Sequence, residues 1–385
     1  MNQFEQELQN EGRFLIALFD NDLPTAKNLL SGAEGPPIDA DIRIRVGGEF
    51  KPAICIATER DLVQMVELLL KYNCSVNQYS SSGMSALHLA VARRNVATVH
   101  LLLRSRANVH CVDRDGLTPL HIAASHADCE LDIIQSLVAA HGALEKCDRN
   151  KNTPLLTACF SNNGHIARYL IERGANVNHA NDTGDTALHI VCSSSSPSLD
   201  LVEALLNAGA KVNAQNNLGL TPLVCAVTKS GHQKSAIERL ISQDQNMSTR
   251  FGPMRETVLH LAVQTSESAT MALIACGCDP AVEDGAQRTP LEYALALNHP
   301  LLMWMLKACP TQGPSWKRLK DRALFYCHYG DASARHIVEE LRNVPRLSRV
   351  CRYAFRKKYG CYADTVILNM DLPKPLQEFL MLKVA

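Results

Sequence analysis

The sequence predicts an all-α protein built from short helix-turn-helix repeats that stack side by side as a solenoid. A segment resembling Thr-Pro-Leu-His recurs at a spacing of about 33 residues, which is the signature of a repeat architecture. A second apolar stretch with helical spacing follows each copy, and a glycine able to end a helix often follows that stretch. The copies begin at Lys51, Ser85, Thr118, Thr153, Thr186, Thr221, Thr257 and Thr289.

The recurring segment predicts the first helix of each repeat. Thr118 precedes Pro119, and this pair is a helix-start signal because a threonine hydroxyl caps a backbone N–H group and proline fits the first turn. Leu120, Ile122 and Ala123 continue the helix. Its small alanines allow close packing against the neighbouring repeat.

The second helix and the connection to the next repeat have their own signals. Gly164 marks the turn into a second helix, and Gly174, like Gly142 and Gly209, is predicted to end a helix in a left-handed conformation. A short hairpin follows, with its turn at Asp115–Gly116 or Thr183–Gly184. One such unit cannot bury its own apolar faces, so the repeats must stack.

These segments resemble the ankyrin-repeat family from roughly residue 10 to residue 309. The resemblance implies a protein-binding module whose hairpin tips and first helices face the partner. We expect residues 1–47 to form N-terminal helices or a divergent first repeat and residues 48–309 to form the ankyrin array. Residues 310–341 are then linking or capping helices, and residues 342–385 are a separate terminal segment.

Composition and charge exclude several classes of function. The chain has 39 basic and 39 acidic residues, so no net field attracts nucleic acid or an anionic membrane. We find no apolar leader and no apolar run long enough to span a bilayer. The 14 cysteines lack metal-site spacing. We expect buried free thiols and a reducing compartment, namely the cytoplasm and also the nucleus.

The recurring histidines could be interpreted as catalytic or metal-binding residues. They occupy one position of the repeat, with no carboxylate at a fixed offset, and in ankyrin repeats this histidine hydrogen-bonds between neighbours. No phosphate-binding loop, nucleophile elbow or zinc motif is present. We therefore expect no enzyme activity, no cofactor and no metal. The histidines are His88, His121, His189 and His260.

Charged residues on the central hairpins are the candidates for binding a substrate protein. The alternative is that they are ordinary hydrophilic loop residues, and the carboxylates among them are expected to be solvated and unpaired. The candidates are Asp113, Arg114, Asp115, Lys146, Asp148, Arg149 and Lys151.

The terminal segment contains an amphipathic helical pattern and a Leu-Pro motif. A basic helix of this kind could cap the array, act as a nuclear-import signal or bind phosphate. Capping explains the helix but not the apolar residues around Leu372–Pro373. The apolar stripe consists of Leu347, Val350, Cys351, Ala354 and Phe355.

This terminal segment resembles a SOCS box, and the whole chain resembles the ankyrin repeat and SOCS box family of substrate receptors. The resemblance implies that Leu347 inserts into elongin C, that Cys351 packs beneath it, and that the other stripe residues complete the elongin-binding face. It also implies that Met370, Asp371, Leu372 and Pro373 contact a cullin.

The function implied by this resemblance is a substrate-recognition adaptor of a cullin–RING ubiquitin ligase. Its partners would be elongin B, elongin C and cullin 5 with its RING subunit, together with a substrate protein. The alternative function is an ankyrin scaffold or tether that recruits no ligase.

Overall fold

The computed structural model describes residues 3–305 except 34, 47, 128, 195–197, 229–233, 244–248, 298 and 303–304. The chain divides into two compact units, residues 1–182 and residues 183–385. Within each unit, a first helix packs against the first helices of the neighbouring repeats and against the second helix of its own repeat. This is the packing that a repeat with two apolar faces requires.

The first unit contains ten helices and one two-stranded antiparallel sheet among its described residues. Its elements are α1 (Gln3–Asp20), α2 (Leu23–Ser31), β1 (Arg43–Val46), β2 (Glu49–Pro52), α3 (Ala53–Glu59), α4 (Val63–Lys71), α5 (Ala86–Ala92), α6 (Val96–Arg104), α7 (Pro119–Ser125), α8 (Leu131–Ala139), α9 (Pro154–Phe160) and α10 (Gly164–Glu172).

The second unit continues the alternation of first and second helices. The described part of this unit comprises α11 (Ala187–Ser193), α12 (Leu199–Asn207), α13 (Pro222–Thr228), α14 (Lys234–Gln243), β3 (Arg250–Phe251), β4 (Glu256–Thr257), α15 (Val258–Thr265), α16 (Glu267–Ala275) and α17 (Pro290–Ala296).

The first helices begin as the sequence predicts. Thr118 is the N-cap of α7, its hydroxyl accepts from the N–H of His121 at 3.4 Å, and Pro119 occupies the first turn. Leu120, at the second helical position, is 1 % exposed, and so is Leu155 at the same position of the next repeat. Burying a leucine side chain stabilises a protein by about 1.5–3 kcal/mol. The recurring leucines therefore form the core that joins successive repeats.

The second helices end through a left-handed residue two positions beyond the last helical residue. Gly174 and Gly209 adopt this conformation, with φ of 88° and 84°. The prediction for Gly142 is wrong, because the left-handed residue after α8 is His141, with φ of 63°. Gly142 has a different role: an added Cβ there would lie 2.7 Å from the carbonyl oxygen of Leu137. A close approach to the preceding turn therefore requires glycine at 142.

Two further expectations differ from the structure in detail. Gly164 is the first residue of α10 rather than part of the preceding turn, and Asn163 occupies the N-cap position. Paired strands occur only in the connections 43–52 and 250–257 of the described residues, with an isolated bridge between Tyr79 and Ser85. The other described connections are turns stabilised by side chains, so most repeats need no strand pairing.

Candidate partner-binding surface

The hairpin before α7 is a tight turn fixed by the carboxylate of Asp113. Its Oδ1 accepts hydrogen bonds from the backbone N–H groups of Asp115 at 2.8 Å and Leu117 at 2.9 Å. Gly116 takes φ of 80° at the third position after Asp113. The expectation that this carboxylate is unpaired is wrong, because the side chain bonds the backbone of its own turn.

Asp148 does the same in the next hairpin. Its Oδ1 accepts from the N–H groups of Asn150 at 2.8 Å and Asn152 at 2.7 Å, and its Oδ2 accepts from the Asn152 side chain at 3.1 Å. Lys151 occupies the left-handed position here, with φ of 58°. Asp113 and Asp148 are therefore partly buried turn formers, although the sequence grouped them with the surface candidates.

The other five candidates are exposed. A backbone hydrogen bond joins the two hairpins at their tips: the N–H of Arg149 donates to the carbonyl oxygen of Asp115 at 3.0 Å. Nζ of Lys151 lies 2.9 Å from Oδ1 of Asp182, and this ion pair raises the pKa of the lysine. Arg114, Lys146 and Arg149 have no ion-pair partner within the described residues. These three cations are available to a partner protein.

The structure adds an apolar residue to this surface. Phe160 is the last residue of α9 and 58 % of its surface is exposed. Helix α9 is about 10 Å long at 1.5 Å per residue, so Phe160 and the hairpin of Arg149 lie at opposite ends of one short helix. Ala92 and Ser125 occupy the equivalent position in earlier repeats. The available sequence signal was therefore a large apolar side chain at a position that Ala92 and Ser125 occupy in the two preceding repeats.

The four recurring histidines are completely buried. Nδ1 of His121 accepts from the backbone N–H of Thr118 at 3.2 Å, and its Nε2 lies 3.0 Å from the carbonyl oxygen of Asn152. A backbone N–H only donates and a carbonyl only accepts, so the proton is on Nε2. In His88, His189 and His260, Nε2 lies 2.9–3.0 Å from a backbone carbonyl oxygen in the hairpin that leads into the next repeat. The predicted structural role is confirmed.

Burial lowers the pKa of each of these histidines, and the hydrogen bond to a carbonyl opposes that shift. Both ring nitrogens are used within the fold, so neither is available to a substrate or a metal. In the described part of the chain, no group of three or more His, Cys, Asp or Glu residues could hold a metal ion.

None of the ten described cysteines forms a disulfide, and eight of them are buried. Burial raises the pKa of Cys129 to about 11 and the pKa values of Cys55 and Cys159 to about 12. Thiols of this kind are protonated at neutral pH and pack as small apolar groups. The prediction of buried thiols outside disulfides is confirmed for these eight residues.

The remaining predicted site lies outside the described residues. This applies to the elongin-binding stripe and to the Leu-Pro motif with its two preceding residues. The residues concerned are Leu347, Val350, Cys351, Ala354, Phe355, Met370, Asp371, Leu372 and Pro373. Among the described helices, none is long and apolar enough to cross a membrane.

Comparison with known proteins identifies the class of the repeats. A family model described as ankyrin repeats (3 copies) matches residues 14–113, 91–181 and 174–250. These matches cover more than half of the chain, which therefore belongs to the ankyrin-repeat family, a class of generally non-catalytic interaction modules.

One curated relative gives a local match. Protein fem-1 homolog A-like from Mus musculus is 43 % identical over 72 residues. The match covers 18 % of this chain and 11 % of the relative, so the chain spans only a small part of that protein's length. The similarity supports the repeat assignment and a general role in protein–protein interaction.

Proposed function

We propose that this chain is a substrate-recognition adaptor: its ankyrin repeats bind a target protein and its terminal segment recruits a ubiquitin ligase. The observation that carries the binding part is the set of exposed cations on adjacent, rigid hairpin tips. Arg114, Lys146 and Arg149 have no ion-pair partner among the described residues, and Phe160 supplies an exposed aromatic group in the same unit. Arginine and aromatic side chains dominate the energetics of protein interfaces.

The rigidity of the tips supports this proposal. Asp113 and Asp148 each bond two backbone N–H groups of their own turn, and a backbone hydrogen bond joins the two tips. A surface held in one conformation loses little conformational entropy on binding. The two carboxylates therefore act as positioning residues, and the neighbouring exposed side chains contact the target.

Replacing Arg114 and Arg149 by Ala should weaken capture of the target about ten-fold or more, because both side chains are exposed and unpaired. Phe160→Ala should weaken it similarly. A matched control is Arg104→Ala, an exposed cation at the end of α6. Binding of the crosslinked or co-purified target, measured by interferometry, should be unchanged in the control. Equal losses in all variants would contradict the proposed surface.

The ligase-recruiting part of the proposal rests on the terminal sequence. The stripe begun by Leu347 and Cys351 would bind elongin C, with elongin B as its companion, and Met370–Pro373 would contact cullin 5 with its RING subunit. The RING subunit and its conjugating enzyme would transfer ubiquitin. The chain itself would contribute proximity by holding target and enzyme in one complex. The compartment would be the reducing cytoplasm or nucleus.

Co-expression with elongins B and C, followed by size-exclusion chromatography, tests recruitment. We expect a stoichiometric ternary complex with the wild-type chain and its loss in the variant carrying Leu347→Ala and Cys351→Asp. Arg114→Ala serves as the control and should form the complex. If the wild-type chain elutes alone and folded, the adaptor function fails. An ankyrin scaffold or tether that recruits no ligase would then be the function.

A further inference from the structure

Arg114 and Arg149 occupy the same position in two adjacent hairpins of the first unit. Each directly follows the turn-forming aspartate of its hairpin, Asp113 or Asp148, and both arginines are exposed. The two hairpins are in close contact, because an added Cβ at Gly116 would lie only 3.2 Å from the backbone nitrogen of Arg149. The two guanidinium groups therefore extend from backbone positions that are fixed relative to each other.

The packing of the repeats determines the spacing of these two arginines. Helix α7 packs against α9, and packed helices lie about 8–10 Å apart. The backbone hydrogen bond from Arg149 to Asp115 joins the hairpins that lead into these helices, so we expect a similar separation between the tips. A polyproline II segment repeats its side-chain direction every third residue, which places residues i and i+3 about 9 Å apart on one side. An extended segment of this kind matches the spacing of the arginines.

The carboxylates of the same hairpins are mostly bonded to the backbone. Asp113 and Asp148 each accept from two backbone N–H groups of their own turn. Glu145 accepts from a backbone N–H of the following connection at 2.8 Å. Asp115 is the exposed exception. Within the described residues none of these carboxylates forms an ion pair with either arginine, so both guanidinium groups keep their capacity to bind a carboxylate of another protein.

The cationic surface is limited to two successive tips. Ser81 occupies the position of Arg114 in the preceding hairpin, and Asp182 occupies it in the following hairpin. Asp182 forms an ion pair with Lys151 at 2.9 Å, and 47 % of its side chain is exposed. A long acidic segment would bring like charges together at Asp182. The surface therefore fits two acidic residues better than a long acidic run.

We propose that Arg114 and Arg149 bind two acidic side chains, three residues apart, in an extended segment of the target protein. The proposal rests on the proposed function of the repeats as a target-binding module and names the chemistry of the bound segment. A guanidinium can donate two parallel hydrogen bonds to one carboxylate, so each arginine takes one acidic residue. Lys146 is exposed in the same hairpin as Arg149 and adds favourable charge.

Nuclear magnetic resonance with the full chain tests this proposal. The probe is the peptide acetyl-Gly-Glu-Gly-Gly-Glu-Gly-amide, and its neutral control contains glutamine in place of both glutamates. We expect saturable shifts of the backbone amide signals of Asp115 and Asn150 with the glutamate peptide only. Raising the NaCl concentration from about 0.05 M to about 0.5 M should weaken binding, because salt screens exposed charges.

The variant with Arg114→Gln and Arg149→Gln should bind the glutamate peptide about five-fold or more weakly, because the charge-assisted hydrogen bonds are lost. The matched control is Arg104→Gln, which changes an exposed cation at the end of α6 and should bind like wild type. The absence of saturable shifts, equal shifts with the glutamine peptide, or equal binding by the two variants would overturn the proposal.

This outcome is separable from that of the proposed function. Glutamate-specific binding by a chain that recruits no elongin would support the acidic-segment proposal and reject ligase recruitment. A chain that captures its target through Arg114 and Arg149, but does not bind the glutamate peptide, would support the target-binding surface and reject the acidic segment.

Discussion

At the scale of single residues, the N-cap residue of α5, α7, α11 and α15 is joined by hydrogen bonds to a histidine three positions later. In the pair formed by Thr118 and His121, the imidazole accepts a hydrogen bond from the N-cap N–H of Thr118 and donates one to the carbonyl oxygen of Asn152. The same ring therefore fixes a helix start and ties that helix to the following hairpin. This double use explains why a polar side chain is completely buried at this position.

Replacing His121 by Leu should destabilise the first unit by about 2 kcal/mol or more, because the N–H of Thr118 and the carbonyl of Asn152 lose a partner. Urea unfolding followed by circular dichroism measures the change. His110 is an exposed histidine of the preceding hairpin. His110→Leu should change the free energy of unfolding by less than about 0.5 kcal/mol. Equal effects of the two substitutions would contradict the account.

The same histidines predict a pH dependence of stability. In the folded state their pKa values are lowered from the ordinary value of 6.5. At any pH between the lowered folded-state pKa values and 6.5, the unfolded chain therefore binds more protons than the folded chain. Stability should therefore increase with pH in that window and level off above it. The thermal midpoint should be lower at about pH 5.5 than at about pH 7.5, with a smaller difference in His121→Leu. A flat profile would exclude this linkage.

At the scale of elements, the hairpins show what the sequence predicted and what it missed. The period, the helix starts and the turns at Gly116 and Gly184 could be predicted, because they depend on local backbone chemistry. The role of Asp148 as an acceptor for the backbone N–H groups of its own turn could not be predicted. An aspartate on a hydrophilic loop can either face water or form such hydrogen bonds. The left-handed position after α8 was also misplaced by one residue, because His141 adopts it beside the more permissive Gly142.

Asp148→Ala should destabilise the first unit by about 1–2 kcal/mol, because two backbone N–H groups lose their acceptor. Asp148→Asn is the matched control. Asn216 occupies the same position in a later hairpin, and its Oδ1 accepts from the N–H groups of Leu218 and Leu220, both at 3.0 Å. The asparagine variant should unfold close to wild type. Equal destabilisation by alanine and asparagine would show that charge, rather than the hydrogen bonds, matters at 148.

At the scale of the whole molecule, two separate parts of the chain have the two proposed tasks, target binding and ligase recruitment. The described residues form repeats that present exposed groups such as Arg149 and Phe160 to a target. Recruitment of a ligase is assigned to residues 342–385, where the sequence pattern alone carries the proposal. Apolar stripes and a Leu-Pro motif are local features and can be found in a sequence. By contrast, a cavity such as the one lined by Asn10 and Ile42 is formed by residues that are distant in sequence, so no local sequence pattern predicts it.

The most direct test of the two-task account is isothermal titration of purified elongin B–C complex into three forms of the chain. These are the wild type, Leu347→Ala, and the variant with Arg114 and Arg149 replaced by Ala. Because burying a leucine contributes about 1.5–3 kcal/mol, Leu347→Ala should weaken binding about ten-fold or more, and the hairpin variant should bind like wild type. Absence of binding by the wild type, or an equal loss in the hairpin variant, would contradict the account.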